Sequence, residues 1–186
     1  MKRRIIIGIT GASGVIYGIR MLEHLKNLDL ETYLIVSETA KKIIQIETSY
    51  TVKEVSRFAD HIFNNNELTA PLASGSFITE GMVIIPCTIK TLSAIVNSYA
   101  SNLMVRAADV TIKEKRKLVL VIRETPLHKG HLKLMTEAAD LGAHILPPIP
   151  SFYHKPQTIH DIIDQTIGKI LDYLGIPHNL FKRWPS

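Results

Sequence analysis

The sequence predicts a single three-layer α/β/α domain, in which helices cover both faces of a parallel β-sheet. Short apolar runs alternate along the chain with segments whose apolar residues recur at helical spacing. These runs are apolar at nearly every position, which is typical of parallel strands buried on both faces. The length of 186 residues suits one such domain, because single cores usually occupy roughly 100–200 residues.

The first predicted element is a β-branched apolar strand at residues 4–9, followed by the glycine-rich turn Thr10-Gly11-Ala12-Ser13-Gly14. A helix is predicted over residues 15–28, since its apolar residues recur at near-helical spacing. The other apolar runs bounded by turn residues predict the remaining strands. These cover residues 32–36, 61–63, 82–85, 117–122 and 143–146.

The remaining helices are predicted from their start and stop signals. Thr125 as the N-cap and Pro126 at the first helical position predict a helix that ends at Gly142. A strongly amphipathic helix is predicted from Ile159 and ends at Gly175. Further helices are predicted over residues 38–48, 51–59 and 90–113. The polar segment 64–77 is predicted as a loop, and its length favours a functional role.

Composition and charge exclude several classes of protein. Charged residues make up 21% of the chain and the mean hydropathy is +0.12, so disorder is excluded. No apolar run approaches the roughly 18 residues of a membrane span, and the short apolar run at the start does not fit a signal peptide. The single cysteine, Cys87, excludes an internal disulfide and fits the reducing cytoplasm.

The net charge of +5 points to an anionic partner. The basic residues are scattered, and no aromatic RNA-binding motif, zinc finger or helix-turn-helix accompanies them. We therefore expect no nucleic-acid partner. A phosphorylated small molecule is the favoured ligand.

Ligands of open parallel sheets bind beyond the carboxyl ends of the strands. In this sequence those ends carry hydroxyls, small residues and one pair of opposite charges. They are residues 10–14, Ser37-Glu38, residues 86–91 and Arg123-Glu124. We therefore expect the site at this edge of the sheet.

The individual signals at this edge leave alternatives open. The turn at residues 10–14 is suited to an anion at a helix N-terminus, but its glycines also fit a tight turn alone. Glu38 could bind a ribose, although we favour compensation of the helix dipole. Arg123-Glu124 is interpreted as part of the ligand site, with a structural salt bridge as the alternative.

Other motifs point away from metal and hydrolase chemistry. His128 and His131 are interpreted as surface or capping residues, since no second cluster of ligand residues supports a metal site. Cys87 is interpreted as a small core residue. The G-x-S-x-G motif of hydrolases and the G-x-G-x-x-G motif of dinucleotide enzymes are both absent.

Taken together and in order, these segments resemble the UbiX-type flavin prenyltransferases over nearly the whole chain. Each segment alone is weak, whereas the ordered set is highly specific. The matching segments are residues 8–14 with Tyr17-Gly18, Ala73-Ser74-Gly75-Ser76, Pro86-Cys87-Thr88, residues 106–110, Lys113-Glu114, Arg123-Glu124-Thr125-Pro126, Pro147-Pro148, Phe152-Tyr153-His154 and Arg183-Trp184.

The resemblance implies a flavodoxin-like or Rossmann-like domain with a six-stranded parallel sheet. It implies a flavin-binding domain over residues 1–176, a tail over residues 177–186 that packs at a subunit interface, and a homododecamer with sites at subunit junctions. The implied reaction joins the prenyl group of dimethylallyl phosphate to N5 and C6 of reduced FMN, without a metal, and releases phosphate. The prenylated FMN then serves a UbiD-type decarboxylase, in ubiquinone biosynthesis or aromatic-acid metabolism.

The resemblance also assigns roles to residues of this chain. Glu124 is the candidate for proton transfer, supported by Ser13 and Glu47. Lys113, Tyr153 and Lys169 are expected to hold the prenyl phosphate; Arg106, the Ser74-Gly75 turn and Trp184 lie nearby. FMN is expected to be held by Gly11, Ala12, Ser13, Ser37, Thr88, Ile89, Lys90, Thr91 and Arg123.

The assignment agrees with the chemistry that it requires. Stabilising the negative charge of a departing phosphate without a metal takes several cations, which Lys113, Arg123 and Lys169 supply. Many members of the family carry arginine at the position of Lys169, so this chain keeps the charge there but loses the bidentate geometry. An aromatic wall from Trp184 or Tyr153 would shelter an allylic cation.

Two other functions remain open at the level of sequence. A flavin-dependent cysteine decarboxylase shares the fold, but that branch carries Pro-Ala-Ser-Ala-Asn-Thr where this chain has Pro-Cys-Thr-Ile-Lys-Thr at residues 86–91. A non-catalytic FMN carrier would need the flavin site but not the cations for a second anion. A NAD oxidoreductase is disfavoured by the glycine spacing.

Overall fold

The computed structural model describes residues 2–184 and confirms the three-layer α/β/α fold. Within that range, six parallel strands form one sheet in the order β3-β2-β1-β4-β5-β6. The strands are β1 (Arg3–Ile9), β2 (Leu30–Val36), β3 (His61–Asn64), β4 (Gly81–Cys87), β5 (Lys117–Ile122) and β6 (Ala143–Ile145).

The helices that cover the sheet are connected to it in the expected alternation. They are α1 (Val15–Leu25), α2 (Glu38–Glu47), α3 (Val52–Ser56), α4 (Ile89–Val96), α5 (Leu103–Lys113), α6 (Lys129–Asp140) and α7 (Ile159–Leu174). A short 3₁₀ turn at Pro71–Ala73 lies within the predicted loop. No helix among the described residues is long and apolar enough to cross a membrane.

The sheet has an apolar core on each face, because successive side chains of a strand point to opposite sides. Ile5, Ile7 and Ile9 of β1 pack with α1 and α7 on one face. Ile6 of the same strand packs on the other face with α4, α5 and Ala138 of α6. The strand β1 is therefore buried on both sides, as its unbroken apolar run predicts.

The predicted bounds of two helices were wrong. The helix predicted over residues 90–113 is two helices, because Ser98 adopts a left-handed conformation with φ 50° and Asn102 caps α5 by accepting a hydrogen bond from the Val105 amide. The helix predicted from Thr125 begins only at Lys129. Its N-cap is His128, whose ring nitrogen accepts the Gly130 amide at 3.0 Å.

Candidate functional site

Two cavities lie at the carboxyl edge of the sheet, and both border the turn at residues 10–14. The larger, about 520 Å³, is called the proline cavity and is lined by Ser13, Gly14, Tyr17, residues 122–125, Leu127 and Pro147 to Pro150. The second, about 390 Å³, is called the polar cavity. It is lined by Thr10, Gly11, residues 37–39, Asn65, Asn66, Thr88, Lys90, Thr91, Ser101, Asn102 and Met104.

The N-termini of α2, α4 and α5 border the polar cavity, and the first amides of α5 are bonded to Asn65. Ser37 caps α2 by accepting the Ala40 amide at 3.1 Å, and Thr88 caps α4 by accepting the Thr91 amide at 3.2 Å. In the hydrogen-bond network of residues 2–184, the first two amides of both α2 and α4, at residues 38, 39, 89 and 90, have no acceptor. Such amides, with the positive ends of two helix dipoles, suit an anion such as phosphate.

Glycine at position 11 lets the turn lie directly against α2. A Cβ at Gly11 would lie 2.5 Å from Thr39 Cβ and closer still to Thr39 Cγ2. The neighbouring Ala12 is buried at 8% exposure. Glu38 is the first residue of α2, pairs with Lys41 at 2.6 Å and also lines the polar cavity, so its role stays a prediction.

The proline cavity brings together three of the predicted residues, Ser13, Arg123 and Glu124. Arg123 and Glu124 are exposed at its rim, and among the described residues neither forms an ion pair. Within one chain, the structure therefore gives no support to the salt-bridge interpretation of this pair. The Glu124 carboxylate accepts the amide of Thr125 at 3.1 Å. Tyr17 lines the same cavity, and burial raises the pKa of its hydroxyl.

Glu47 reaches this site from the last turn of α2. Its carboxylate accepts the backbone amide of Gly14 at 2.8 Å. Gly14 has φ 91° and is the N-cap of α1, a left-handed conformation that favours glycine. The carboxylate therefore lies beside the turn that both cavities share, bonded to the residue that follows Ser13.

A second group of predicted residues lies along α5 and at its C-terminal end. Arg106 donates to the Ala73 carbonyl at 3.2 Å and pairs with Asp109. Lys113 pairs with Glu114, and this hydrogen bond lowers the pKa of the Glu114 carboxyl. The Ser74-Gly75 turn lies against this pair, since a Cβ at Gly75 would collide with the Glu114 carboxylate.

The third group lies along α7 and the tail. The Tyr153 and Trp184 rings meet edge to face at 5.5 Å, and Lys169 is exposed on α7. Asp172 accepts two hydrogen bonds from Arg183, at 2.7 and 3.0 Å, and one from His178. The close packing of Phe181 on α7 needs glycine at the facing position 168.

One chain alone does not bring the three groups together. Lys113 precedes β5 (Lys117–Ile122), whereas Glu124 follows it. Lys113 therefore lies at the amino ends of the parallel strands and Glu124 at their carboxyl ends. Within residues 2–184, no hydrogen bond or ion pair joins one group to another. The roles of these residues stay predictions.

Several residues that line the cavities were given no individual role by the sequence reasoning. Thr10 and Tyr17 were named only within longer segments, and Asn65 only within the loop at residues 64–77. Tyr17 was detectable, because it stands one helical turn after the predicted turn residue Ser13. Asn65 has no local signal: its carbonyl accepts the Leu103 amide at 2.7 Å, a contact that only the folded chain creates.

The two histidines predicted as surface or capping residues lie near the start of α6. Their ring centroids lie 3.6 Å apart with the planes tilted by 34°, and the Nδ1 of His131 is buried without a hydrogen-bond partner among the described residues. In the described part of the chain, no group of three or more His, Cys, Asp or Glu side chains is positioned to hold a metal ion. Cys87 is buried, which agrees with its interpretation as a core residue.

Comparison with known proteins finds relatives that match almost the whole chain. The flavoprotein family model matches residues 1–176. The flavin prenyltransferase UbiX of Escherichia coli (strain K12) is 52% identical over 185 residues, which cover 98% of both chains.

Two solved structures have the same fold over almost their whole length. AnUbiX (PadA1), crystallised with FMN and dimethylallyl pyrophosphate, superposes with a TM-score of 0.98 at 44% identity, covering 100% of this chain and 99% of its own. A dodecameric FMN-dependent UbiX-like decarboxylase from Escherichia coli O157:H7 has a TM-score of 0.96 at 42% identity, covering 98% of this chain and 100% of its own. The chain therefore belongs to the UbiX family of flavin prenyltransferases.

Proposed function

We propose that this protein transfers the dimethylallyl group of dimethylallyl phosphate to N5 and C6 of reduced FMN and releases phosphate. The observation that carries the proposal is the pair of cavities that share the turn at residues 10–14. One cavity offers free amides and hydroxyls that suit a phosphate, and the other offers a largely apolar space with a carboxylate and a guanidinium at its rim. A flavin mononucleotide needs both environments, side by side.

The residues present fit FMN. The unpartnered amides at the starts of α2 and α4, with Ser37, Thr88 and Lys90, suit the phosphate and the hydroxyls of the ribityl chain. The apolar walls of Pro147 to Pro150 suit a flat aromatic ring system. When bound in its reduced state, the flavin supplies the electron-rich positions that accept the prenyl group.

Glu124 is the group that we expect to move protons. The new bonds at N5 and C6 release one proton each; one is taken up by the prenyl double bond as the ring closes, and the other leaves with the phosphate. A carboxylate at the rim of the proline cavity can relay these protons. Ser13 lines the same cavity, and Glu47 holds the amide of Gly14 beside it. Arg123, also at the rim, is suited to balance negative charge during the transfer.

The cations for the prenyl phosphate come from neighbouring chains in this proposal. Lys113 lies at the opposite edge of the sheet from Glu124, so a site that uses both needs a second copy of the chain. Tyr153, Lys169 and Trp184 would complete the site from the α7 face. The dodecameric assembly of a relative with TM-score 0.96 supports a homo-oligomer, and we propose a dodecamer.

The product would leave as prenylated FMN and serve a UbiD-type decarboxylase. We infer that the protein acts in the cytoplasm without a resident metal. The lone cysteine, buried in the core, supports the reducing compartment.

Anaerobic incubation with reduced FMN and dimethylallyl phosphate, followed by mass spectrometry of the released flavin, tests the proposal. A flavin heavier by one five-carbon unit is expected. Glu124→Gln should retain FMN binding and slow turnover, while Glu137→Gln on α6, which removes a carboxylate outside the candidate site, should match wild type.

Unmodified flavin, from protein that demonstrably binds both ligands, would overturn the proposal. That outcome would favour the FMN carrier. Turnover unchanged in Glu124→Gln would remove Glu124 from the mechanism but leave the reaction intact.

A further inference from the structure

Regular pairing between β1 and β4 stops short of the flavin site. The last pair in register is Gly8 with Ile84, and the chain then continues on each side into a loop that lines the polar cavity. One loop is the turn at residues 10–14, and the other leads through Thr88 into α4. Their relative position therefore depends on contacts other than the strand ladder.

Thr10 supplies those contacts. Its hydroxyl donates to the Pro86 carbonyl at 2.7 Å and accepts the Thr88 amide at 2.9 Å, while its own amide donates to Pro86 at 3.2 Å. The side chain is 2% exposed, so these bonds are shielded from water. Thr88 in turn caps α4, whose free amides face the proposed phosphate position.

We propose that Thr10 is a positioning residue for FMN: its hydroxyl sets the start of α4 against the glycine turn and so shapes the phosphate subsite. This inference rests on the proposed function. Removal of the hydroxyl leaves the Thr88 amide without its acceptor, and the two loops then shift relative to each other. The flavin site loosens although Thr10 itself need not touch the ligand.

The chain contains a matched control near the amino ends of the strands. Thr32 on β2 is fully buried, and its hydroxyl also donates and accepts, both with Asp60, at 2.8 and 3.0 Å. It pairs in register with Ile5, near the start of β1 and away from the cavities. Thr10→Val and Thr32→Val thus each remove a buried hydroxyl that donates one hydrogen bond and accepts another.

The experiment measures FMN affinity by quenching of flavin fluorescence, the KM for reduced FMN, kcat, and the Tm of the ligand-free protein. Both valine variants should lower the Tm. Only Thr10→Val should weaken FMN binding and raise its KM, by about tenfold. Thr10→Ser, which keeps the hydroxyl, should bind FMN within about threefold of wild type.

Three outcomes would overturn the inference. They are FMN affinity unchanged in Thr10→Val, equal losses of affinity in both valine variants, and no recovery in Thr10→Ser. If wild type itself fails to bind FMN, the proposed function falls together with the inference. This result differs from the three outcomes above, in which wild type binds FMN. If Thr10→Val does not fold, Thr10→Cys is compared with Thr32→Cys by the same measurements and criteria, because a thiol hydrogen-bonds weakly.

Discussion

Mixed oligomers of two inactive variants provide a direct test of a site shared between chains. Lys113→Met removes a cation proposed for the prenyl phosphate, and Glu124→Gln removes the proposed proton acceptor. Each variant alone should form prenylated FMN very slowly. In a mixed oligomer, a chain with intact Lys113 can complete the cavity of a chain with intact Glu124, so activity should return.

The expected size of this recovery follows from the fold. The six residues of β5, Lys117–Ile122, separate the two side chains. At about 3.3 Å per residue the strand spans roughly 20 Å, more than a lysine side chain can bridge. If each site takes one residue from each of two chains, random mixing in equal amounts restores about a quarter of the sites, whereas sites within one chain would restore none.

The assay co-expresses the two variants with different tags, purifies oligomers that carry both tags, and measures prenylated flavin by mass spectrometry. A matched mixture places both substitutions on one chain and combines it with wild type. That mixture should retain about a quarter of wild-type activity if sites are shared, and about half if they are not. The reasoning is refuted if the first mixture stays inactive while the second retains half.

Three further predictions concern other parts of the molecule. Gly11→Ala should weaken FMN binding and lower the Tm by several degrees, since the new methyl group collides with Thr39 and overpacking costs about 1–3 kcal/mol; calorimetry with FMN titration measures both. Asp172→Asn should free the tail, lowering the fluorescence anisotropy of the single tryptophan. Because the Arg183 hydrogen bonds lower the pKa of Asp172, this contact persists above the ordinary carboxyl pKa of about 3.9 and is lost as pH falls further, so the anisotropy should fall on acidification in wild type and not in Asp172→Asn. Burial raises the pKa of the Cys87 thiol, so a thiol reagent at pH 8 should label it only after unfolding; rapid labelling of the native protein would contradict its burial.

Much of the fold was predictable because its signals are local. Each apolar run became a strand, and the amphipathic pattern from Ile159 became α7, ended by Gly175 with φ 75°. The predicted helix start at Thr125-Pro126 was wrong, because N-cap preferences are weak where several neighbouring residues can act as the cap. His128 lies three residues later and accepts the Gly130 amide there instead.

Residue type and order were enough to predict the fold class, the family and a candidate site at the carboxyl edge of the sheet. Which of the predicted residues meet depends on the tertiary structure. It placed Ser13 with Glu124 in one cavity, separated Lys113 at the other edge, and joined Thr10 to Thr88 across the end of the sheet. The physical reason is that such contacts link residues far apart in the chain, and their geometry is set by how strands pair and helices pack, which local patterns do not encode.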